Sequence, residues 1–189
     1  NFLGVCVNPC FVRDAKTALK DSDVKIVTVI GFPLGANTSE VKVFETKKAI
    51  EDGADEIDMV INVSKLKDKD YDYVKKDIES VRHACPDNIL KVILETDLLT
   101  KDEIKKACEI CIDAKADLVK TSTGFVKNGV GAKVEDVELM YQTVSPFCLK
   151  VKASGVIRDS EKALALIKAG ATRLGTSSGL KIAEEMRNK

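Results

Sequence analysis

Two lysines stand near the ends of two apolar, β-type runs, each followed at once by small polar residues and glycine. The run ADLVKTSTGF (116–125) carries Lys120, and CLKVKASGV (148–156) carries Lys152. A strand buried on both faces is Val/Ile/Leu-rich almost throughout. A lysine inside one is therefore costly unless it is paired or its charge is used. An ammonium near a second ammonium, partly out of water, gives up its proton easily, and a neutral lysine amine attacks carbonyls. The pair points to covalent imine chemistry. Lys120 has the better claim to be the nucleophile, because Thr121, Ser122, Thr123 and Gly124 follow it and can hydrogen-bond around a reacting centre. Lys152 is then the neighbouring cation and a proton donor. Asp58, within GADEIDMVIN, supplies the carboxylate that imine and carbon–carbon chemistry uses to shuttle protons.

A magnitude tests the idea. At an assumed separation of about 6 Å and an effective dielectric near 20, the two ammonium groups repel by roughly 2.8 kcal/mol, or about two pKa units. Desolvation adds to this. The competing reading is structural: a buried lysine can simply pair with a buried acid, and Glu56, Glu95 or Asp58 could be that acid. Two strand-end lysines, both followed by Ser/Thr and Gly, favour chemistry. By parity Lys91 and Lys150 also point inward, where structural or relay pairing is expected.

A second constellation suits an anion. Gly175-Thr176-Ser177-Ser178-Gly179 follows the last strand-like run and opens the last helical one. Glycine lets a phosphate approach the backbone, and a helix start offers free N–H groups and a positive dipole end. Gly155, Val156 and Arg158 follow the preceding run and could complete the site. The same pattern also fits an ordinary capped helix start.

The elements that must hold these residues alternate along the whole chain. Strand-like runs fall at 3–8, 25–32, 55–62, 89–96, 116–123, 148–154 and 172–177. Helical runs fall between them. One spans 38–52, with Thr38 as cap, Glu40 in its first turn and a mostly apolar stripe of Val41, Phe44, Lys48 and Ala49. Another opens with Thr100 and Glu103 at capping-box spacing, and a third, 159–169, is stopped by Gly170. IEDGADEI, CIDAKADLV and LIKAGATRL echo one another as helix-to-strand joints, the trace a repeated βα unit leaves. Regular alternation implies a parallel sheet. Polar residues recurring at period two (Asp58 with Asn62, Lys120 with Ser122, Lys152 with Ser154) share one face and favour an α/β barrel with a polar upper layer over an open doubly wound sheet. Seven strands appear where a (β/α)8 barrel has eight, and the sequence starts almost directly on a strand. A first βα unit preceding Asn1 is therefore expected, leaving residues 1–189 as one barrel domain with two unpaired edges.

Composition excludes several partners. Thirty basic residues balance thirty acidic ones and Trp is absent, so neither a nucleic acid nor another polyelectrolyte is implied. No stretch is apolar enough to span a bilayer, and no signal-peptide pattern is present. Cys6, Cys10, Cys85, Cys108, Cys111 and Cys148 lack zinc-site spacing, and the Cys108/Cys111 pair lies within a helical run, far in sequence from the lone His83. Reduced thiols in a cytoplasmic protein are expected.

Together VKTSTGF, VKASGV-R, GADEIDMVIN, VIGFPLGAN and TRLGTSSG resemble deoxyribose-phosphate aldolase, a class I aldolase family, over essentially the whole chain in order. The resemblance implies a TIM barrel that reversibly cleaves 2-deoxy-D-ribose 5-phosphate to D-glyceraldehyde 3-phosphate and acetaldehyde, with no metal or organic cofactor. It implies Lys120 as the imine-forming lysine, Lys152 as the second lysine and Asp58 as the relay acid. Gly124, Gly155, Val156, Arg158, Gly175, Ser177 and Ser178 match positions around the substrate phosphate. Two departures stand out. The family usually has Gly-Gly where this chain has Gly155-Val156, which weighs against a positive φ at 156. Its first strand, usually bearing Asp-His-Thr close to the catalytic centre, would precede Asn1, which weighs against full activity of the chain as given. A transaldolase-like enzyme and a non-catalytic phosphosugar-binding barrel are the alternatives. Oligomeric state is left open, a homodimer among the options.

Overall fold

The computed structural model describes residues 2–188. Seven parallel strands are hydrogen-bonded in chain order: β1 (Gly4–Val7), β2 (Lys25–Ile30), β3 (Glu56–Val60), β4 (Ile89–Ile93), β5 (Leu118–Lys120), β6 (Lys150–Ser154) and β7 (Ala171–Gly175). All seven expected strands are present, the first six trimmed by one to several residues and the last beginning one residue earlier and ending two earlier than expected. The helices are α1 (Val12–Ala18), α2 (Ser39–Glu51), α3 (Val63–Lys67), α4 (Tyr71–Ala84), α5 (Lys101–Asp113), α6 (Val134–Val144), α7 (Ser160–Lys168) and α8 (Gly179–Arg187).

The sheet is curled into an incomplete β/α barrel. Four strand spacings of about 4.8 Å would hold β3 and β7 far beyond side-chain reach in a flat sheet. Yet Arg173 on β7 touches Glu56 on β3 at 2.5 Å. The two edges also approach one another: a Cβ built on Gly179, at the start of α8, would meet the Phe2 ring beside β1 at 2.9 Å. Among the described residues no eighth strand joins β7 to β1.

Strand parity sorts the side chains as the period-two reading requires. Ile57, Met59, Leu90, Val92, Val119, Val151 and Ala153 face the helices and form the sheet–helix core. The alternate positions Glu56, Asp58, Lys91, Lys120 and Lys152 face the barrel axis and are buried there.

The three echoing joints fold alike. The residue before the shared alanine is left-handed in each: Gly53 at φ 109°, Lys115 at 57° and Gly170 at 110°. In the first two joints the following aspartate accepts the N–H of the second residue of the preceding strand, Asp55 from Ile26 and Asp117 from Leu90, both at 2.7 Å. The repeat is therefore a physical device that ends a helix, turns the chain and fixes strand register. The capping box of α5 forms as expected, with Thr100 and Glu103 each accepting the other's backbone N–H, a motif worth about 1 kcal/mol.

Helix α2 departs from expectation. Thr38 occupies the cap position, but its hydroxyl makes no capping bond. The stripe Val41, Phe44, Lys48, Ala49 is not the buried face, since Val41 and Phe44 are exposed. Of the stripe only Ala49 is buried, and Lys42 and Thr46 complete the buried face. Lys42 is tolerated because its Nζ donates to Asp77 Oδ2 at 2.5 Å and to the Val60 carbonyl at 3.0 Å. Its stem packs over Gly31, where any Cβ would meet Lys42 Cε at 2.9 Å. The long methylene stem fills the interface as an apolar side chain would.

Candidate active site

Asp58 sits in the middle of β3 with no exposed surface, and three lysines converge on it. Lys120, at the last residue of β5, places Nζ 2.8 Å from Asp58 Oδ2, and Lys152 on β6 places Nζ 2.7 Å from the same oxygen. Lys91 on β4 takes the other oxygen, Oδ1, at 2.8 Å. The two candidate lysines are hydrogen-bond register partners across β5 and β6. Their nitrogens cannot be farther apart than the sum of 2.8 and 2.7 Å. That is closer than the separation assumed from sequence.

The electrostatics follow from this packing. Burial would raise the Asp58 carboxyl, but the surrounding ammonium groups outweigh it and hold it well below the usual carboxylate range. Lys120 is pushed down from its ordinary value, first by burial and then by Lys152, while Asp58 pulls the other way. Desolvation is thus the leading cause of the lowering and repulsion from Lys152 the second, the two effects expected from sequence. An amine that loses its proton more easily than a free lysine is the group imine formation needs.

The segment after Lys120 is clamped from both neighbours. Leu94 N–H donates to the Lys120 carbonyl and Thr96 N–H to the Thr121 carbonyl. Ser154 Oγ donates to the Ser122 carbonyl at 2.7 Å. Glu95, buried and left-handed at φ 60°, accepts from both the backbone N–H and the hydroxyl of Thr123. Left-handed backbone outside glycine costs energy and tends to cluster at working sites. Glu95 was a candidate lysine partner from sequence; it holds the loop instead, and Glu56 pairs with Lys91 at 2.5 Å. Lys150 is exposed at the strand start and lines the lower mouth of the barrel. A cavity of about 610 Å³ opens there, away from Lys120 and Lys152.

The expected anion loops lie at the C-terminal ends of β6 and β7, the same end as Lys120 and Lys152. Thr176 Oγ1 donates to the Ile157 carbonyl at 2.6 Å and accepts from Ser178 N–H at 2.9 Å, which ties the two loops together. Gly175 is required by packing, because a Cβ there would meet Ser154 Cβ at 2.9 Å and Lys152 Cε at 3.1 Å. Gly155, at φ 91°, lies over Ser122, whose hydroxyl is buried without a partner among the described residues. Gly124 has open space around it, Val156, Arg158 and Ser177 are exposed, and Ser178 is the residue preceding α8. Val156 does adopt a positive φ, 52°, against the expectation from its side chain. Its neighbours are pinned on either side, Gly155 by Ala132 N–H and Ile157 by the Thr176 hydroxyl, and the positive φ between them carries a cost. Val156→Gly is expected to stabilise the fold by about 0.5–1 kcal/mol, relief of strain exceeding the added chain entropy; a thermal melt measures it.

Of the further site residues, the pairing expected of Lys91 and the buried acid Glu56 are found together, Glu95 takes a different role, and Arg173 has no sequence expectation. Parity flagged Lys91 as inward, and Glu56 shares the period-two face with Asp58. Nothing local marks Arg173.

This geometry has close counterparts. The family model for DeoC/LacD family aldolases matches residues 3–185. The chain belongs to that family. A deoxyribose-phosphate aldolase of Finegoldia magna is 58% identical over 184 residues, covering 97% of this chain and 85% of the relative. One of Exiguobacterium sp. is 59% identical over 182 residues, covering 96% and 81%. Among solved structures, an aldolase described as QR15 superposes with a TM-score of 0.93 at 47% identity, covering 99% of this chain and 82% of that one. Deoxyribose phosphate aldolase from Aeropyrum pernix, described as tetrameric, gives 0.89 at 32% identity, covering 98% and 78%. The seven-stranded sheet thus superposes on most of a DeoC/LacD-type aldolase, and Lys120 ends its strand on the C-terminal side where β/α barrels carry catalysis.

Proposed function

We propose that this chain, read as one barrel domain over 1–189, is a class I aldolase that reversibly cleaves 2-deoxy-D-ribose 5-phosphate to D-glyceraldehyde 3-phosphate and acetaldehyde. The observation that carries the reading is the meeting of Lys120 and Lys152 on one buried oxygen of Asp58. Relatives close to 58% identical and named for this reaction support the substrate and leave the transaldolase-like and non-catalytic readings unfavoured.

In this reading Lys120 Nζ adds to C1 of the open-chain aldehyde and loses water to give a protonated imine, an electron sink. When Lys120 leaves Oδ2, Asp58 still holds Lys152 and Lys91, so no buried charge is orphaned. Asp58, through a water, takes the C3 hydroxyl proton, the C2–C3 bond breaks, and glyceraldehyde 3-phosphate departs. The enamine is protonated at C2, with Lys152 the adjacent donor, and hydrolysis of the imine releases acetaldehyde. The loops carrying Gly124, Gly155, Val156, Arg158, Gly175, Ser177 and Ser178 receive the phosphate. Beyond that relay water and the water released on imine formation and taken up again on hydrolysis, the reading draws only on the chain's own side chains.

The reading includes a phosphosugar as the sole small-molecule partner and a cytoplasmic location, where six thiols stay reduced. Among the described residues no helix is long and apolar enough to cross a membrane. Self-association, as a homodimer or higher, belongs to the proposal because the Aeropyrum pernix relative is described as tetrameric.

The test is borohydride reduction in the presence of 2-deoxyribose 5-phosphate, followed by peptide mass mapping and product analysis. An adduct on Lys120 with both aldehyde products supports the reading; an adduct elsewhere, or none, overturns it. Lys152→Leu supplies a further prediction. Removing the cation that shares Oδ2 raises the Lys120 pKa, so the acid limb of the pH–rate profile moves to higher pH. Turnover at pH 7 is expected to fall by about 100-fold or more, and normal activity at neutral pH would refute the tuning role.

A further inference from the structure

The charges continue below Asp58. Lys91 Nζ lies 2.8 Å from Asp58 Oδ1 and 2.5 Å from Glu56 Oε2, and the same Glu56 oxygen receives Arg173 Nη1 at 2.5 Å. From the catalytic end downward, the barrel axis therefore carries Lys120, Asp58, Lys91, Glu56 and Arg173, with alternating sign at every step. The first four are buried, and Arg173 keeps 21% of its side chain exposed at the lower end. Stability does not explain the ladder. Apolar side chains of similar volume fill an interior at least as well as buried ion pairs, and barrel interiors are usually layered with branched aliphatics. What the ladder does accomplish is geometric. Lys91 occupies Oδ1, so Asp58 cannot turn both oxygens toward Lys120, and Oδ2 is left to be shared with Lys152.

We propose that Lys91, held by Glu56 and Arg173, is a positioning residue that sets the charge state of the imine-forming lysine through Asp58. This rests on the assignment of Lys120 as nucleophile. By drawing on the same carboxylate, Lys91 weakens its hold on the Lys120 proton and keeps the amine easy to free. The other charged or titratable groups facing Lys120 are Lys152 from β6, Cys6 from β1 and Glu95 from the end of β4. Cys6 is exposed at the sheet edge, yet desolvation on its inner side, with Asp58 next, pushes its thiol up and keeps it neutral. Glu95 is committed to Thr123. Neither replaces Lys91 on Oδ1.

The experiment measures the rate of borohydride-trapped adduct formation at Lys120 against pH, with 2-deoxyribose 5-phosphate, for the unsubstituted protein, Lys91→Met, Lys91→Arg, Glu56→Gln and Arg173→Gln. Losing Lys91 removes a cation and frees Oδ1 for Lys120, so the acid limb moves up by about one pH unit. Losing the Glu56 charge leaves Lys91 to pull Asp58 away from Lys120, so the limb moves down. Lys91→Arg restores the original limb. Arg173→Gln, changed at the half-open end where folding is least at risk, gives a smaller upward shift and decides the matter should the deeper variants not fold. Opposite shifts for Lys91→Met and Glu56→Gln are the expected result. Lower melting temperatures with every limb unmoved would mean a merely structural ladder and would overturn the inference alone. Absence of any Lys120 adduct in the unsubstituted protein would overturn the nucleophile assignment and this inference with it.

Discussion

Lys120→Leu is expected to reduce turnover to background, a loss of about 10⁴-fold or more, while leaving the protein folded and no less stable. The activity loss follows from the chemistry: without an amine there is no imine, and removal of a covalent nucleophile is among the costliest single changes an enzyme suffers. The stability outcome follows from the site. Lys120 is buried, and its charge is held there only by the carboxylate it shares with Lys152 and Lys91. Leucine removes the desolvation cost of an ammonium and leaves Asp58 with two cations, so the change is neutral or stabilising by about 1–2 kcal/mol. Turnover by product analysis, adduct mapping and a thermal melt check the three parts. Residual turnover within tenfold of the unsubstituted protein, or an adduct still trapped in the variant, would remove Lys120 from its role.

How much of this site the sequence discloses depends on the range of each interaction. Lys120 and Lys152 stand out because strand burial makes a lysine anomalous and period two is readable in five residues. The joint echo is equally local: a left-handed residue, a small turn and, in two of the three, an aspartate that caps a strand amide. Pairings across the barrel leave no such trace. Glu56 and Arg173 are 117 residues apart; Glu56 is legible as a strand acid, but nothing in either strand names its partner. Lys42 is illegible for a related reason. A hydropathy pattern counts it as polar and turns α2 the wrong way, whereas its partners Asp77 and Val60 stand 35 and 18 residues away. For the lowered Lys120 pKa, sequence gives a size to repulsion alone, from a guessed distance, while the larger contribution of burial needs the packed barrel. Val156 shows the limit of residue preference: the loop imposes a positive φ that a β-branched side chain resists.

Asp58→Asn separates chemistry from charge balance, and both effects are expected to be large. The amide keeps the shape of the carboxylate but removes the single anion that Lys120 and Lys152 share and one of the two that hold Lys91. Breaking buried pairs on one side costs about 3–5 kcal/mol. The pH dependence has a definite sign. In the unsubstituted protein the Asp58 carboxyl lies far below its unfolded value, so its contribution is fully present above about pH 4 and is lost only as pH falls through the folded pKa. In the variant the buried lysines have no counterion, their folded pKa values drop below the unfolded value of about 10.4, and the unfolded chain binds more protons. Stability then rises with pH, so the melting deficit is expected to be larger at pH 6 than at pH 9. The chemistry splits differently. With its anionic partner gone, Lys120 loses its proton more readily, and imine trapping should persist at neutral pH. The C3 hydroxyl proton has lost its acceptor, so carbon–carbon cleavage should fall by about 10²–10⁴-fold. Trapping retained with turnover lost assigns Asp58 to the proton and Lys120 to the carbonyl. Turnover and trapping lost together would instead make Asp58 a support for the nucleophile alone, and a melting deficit independent of pH would contradict the charge ladder that surrounds it.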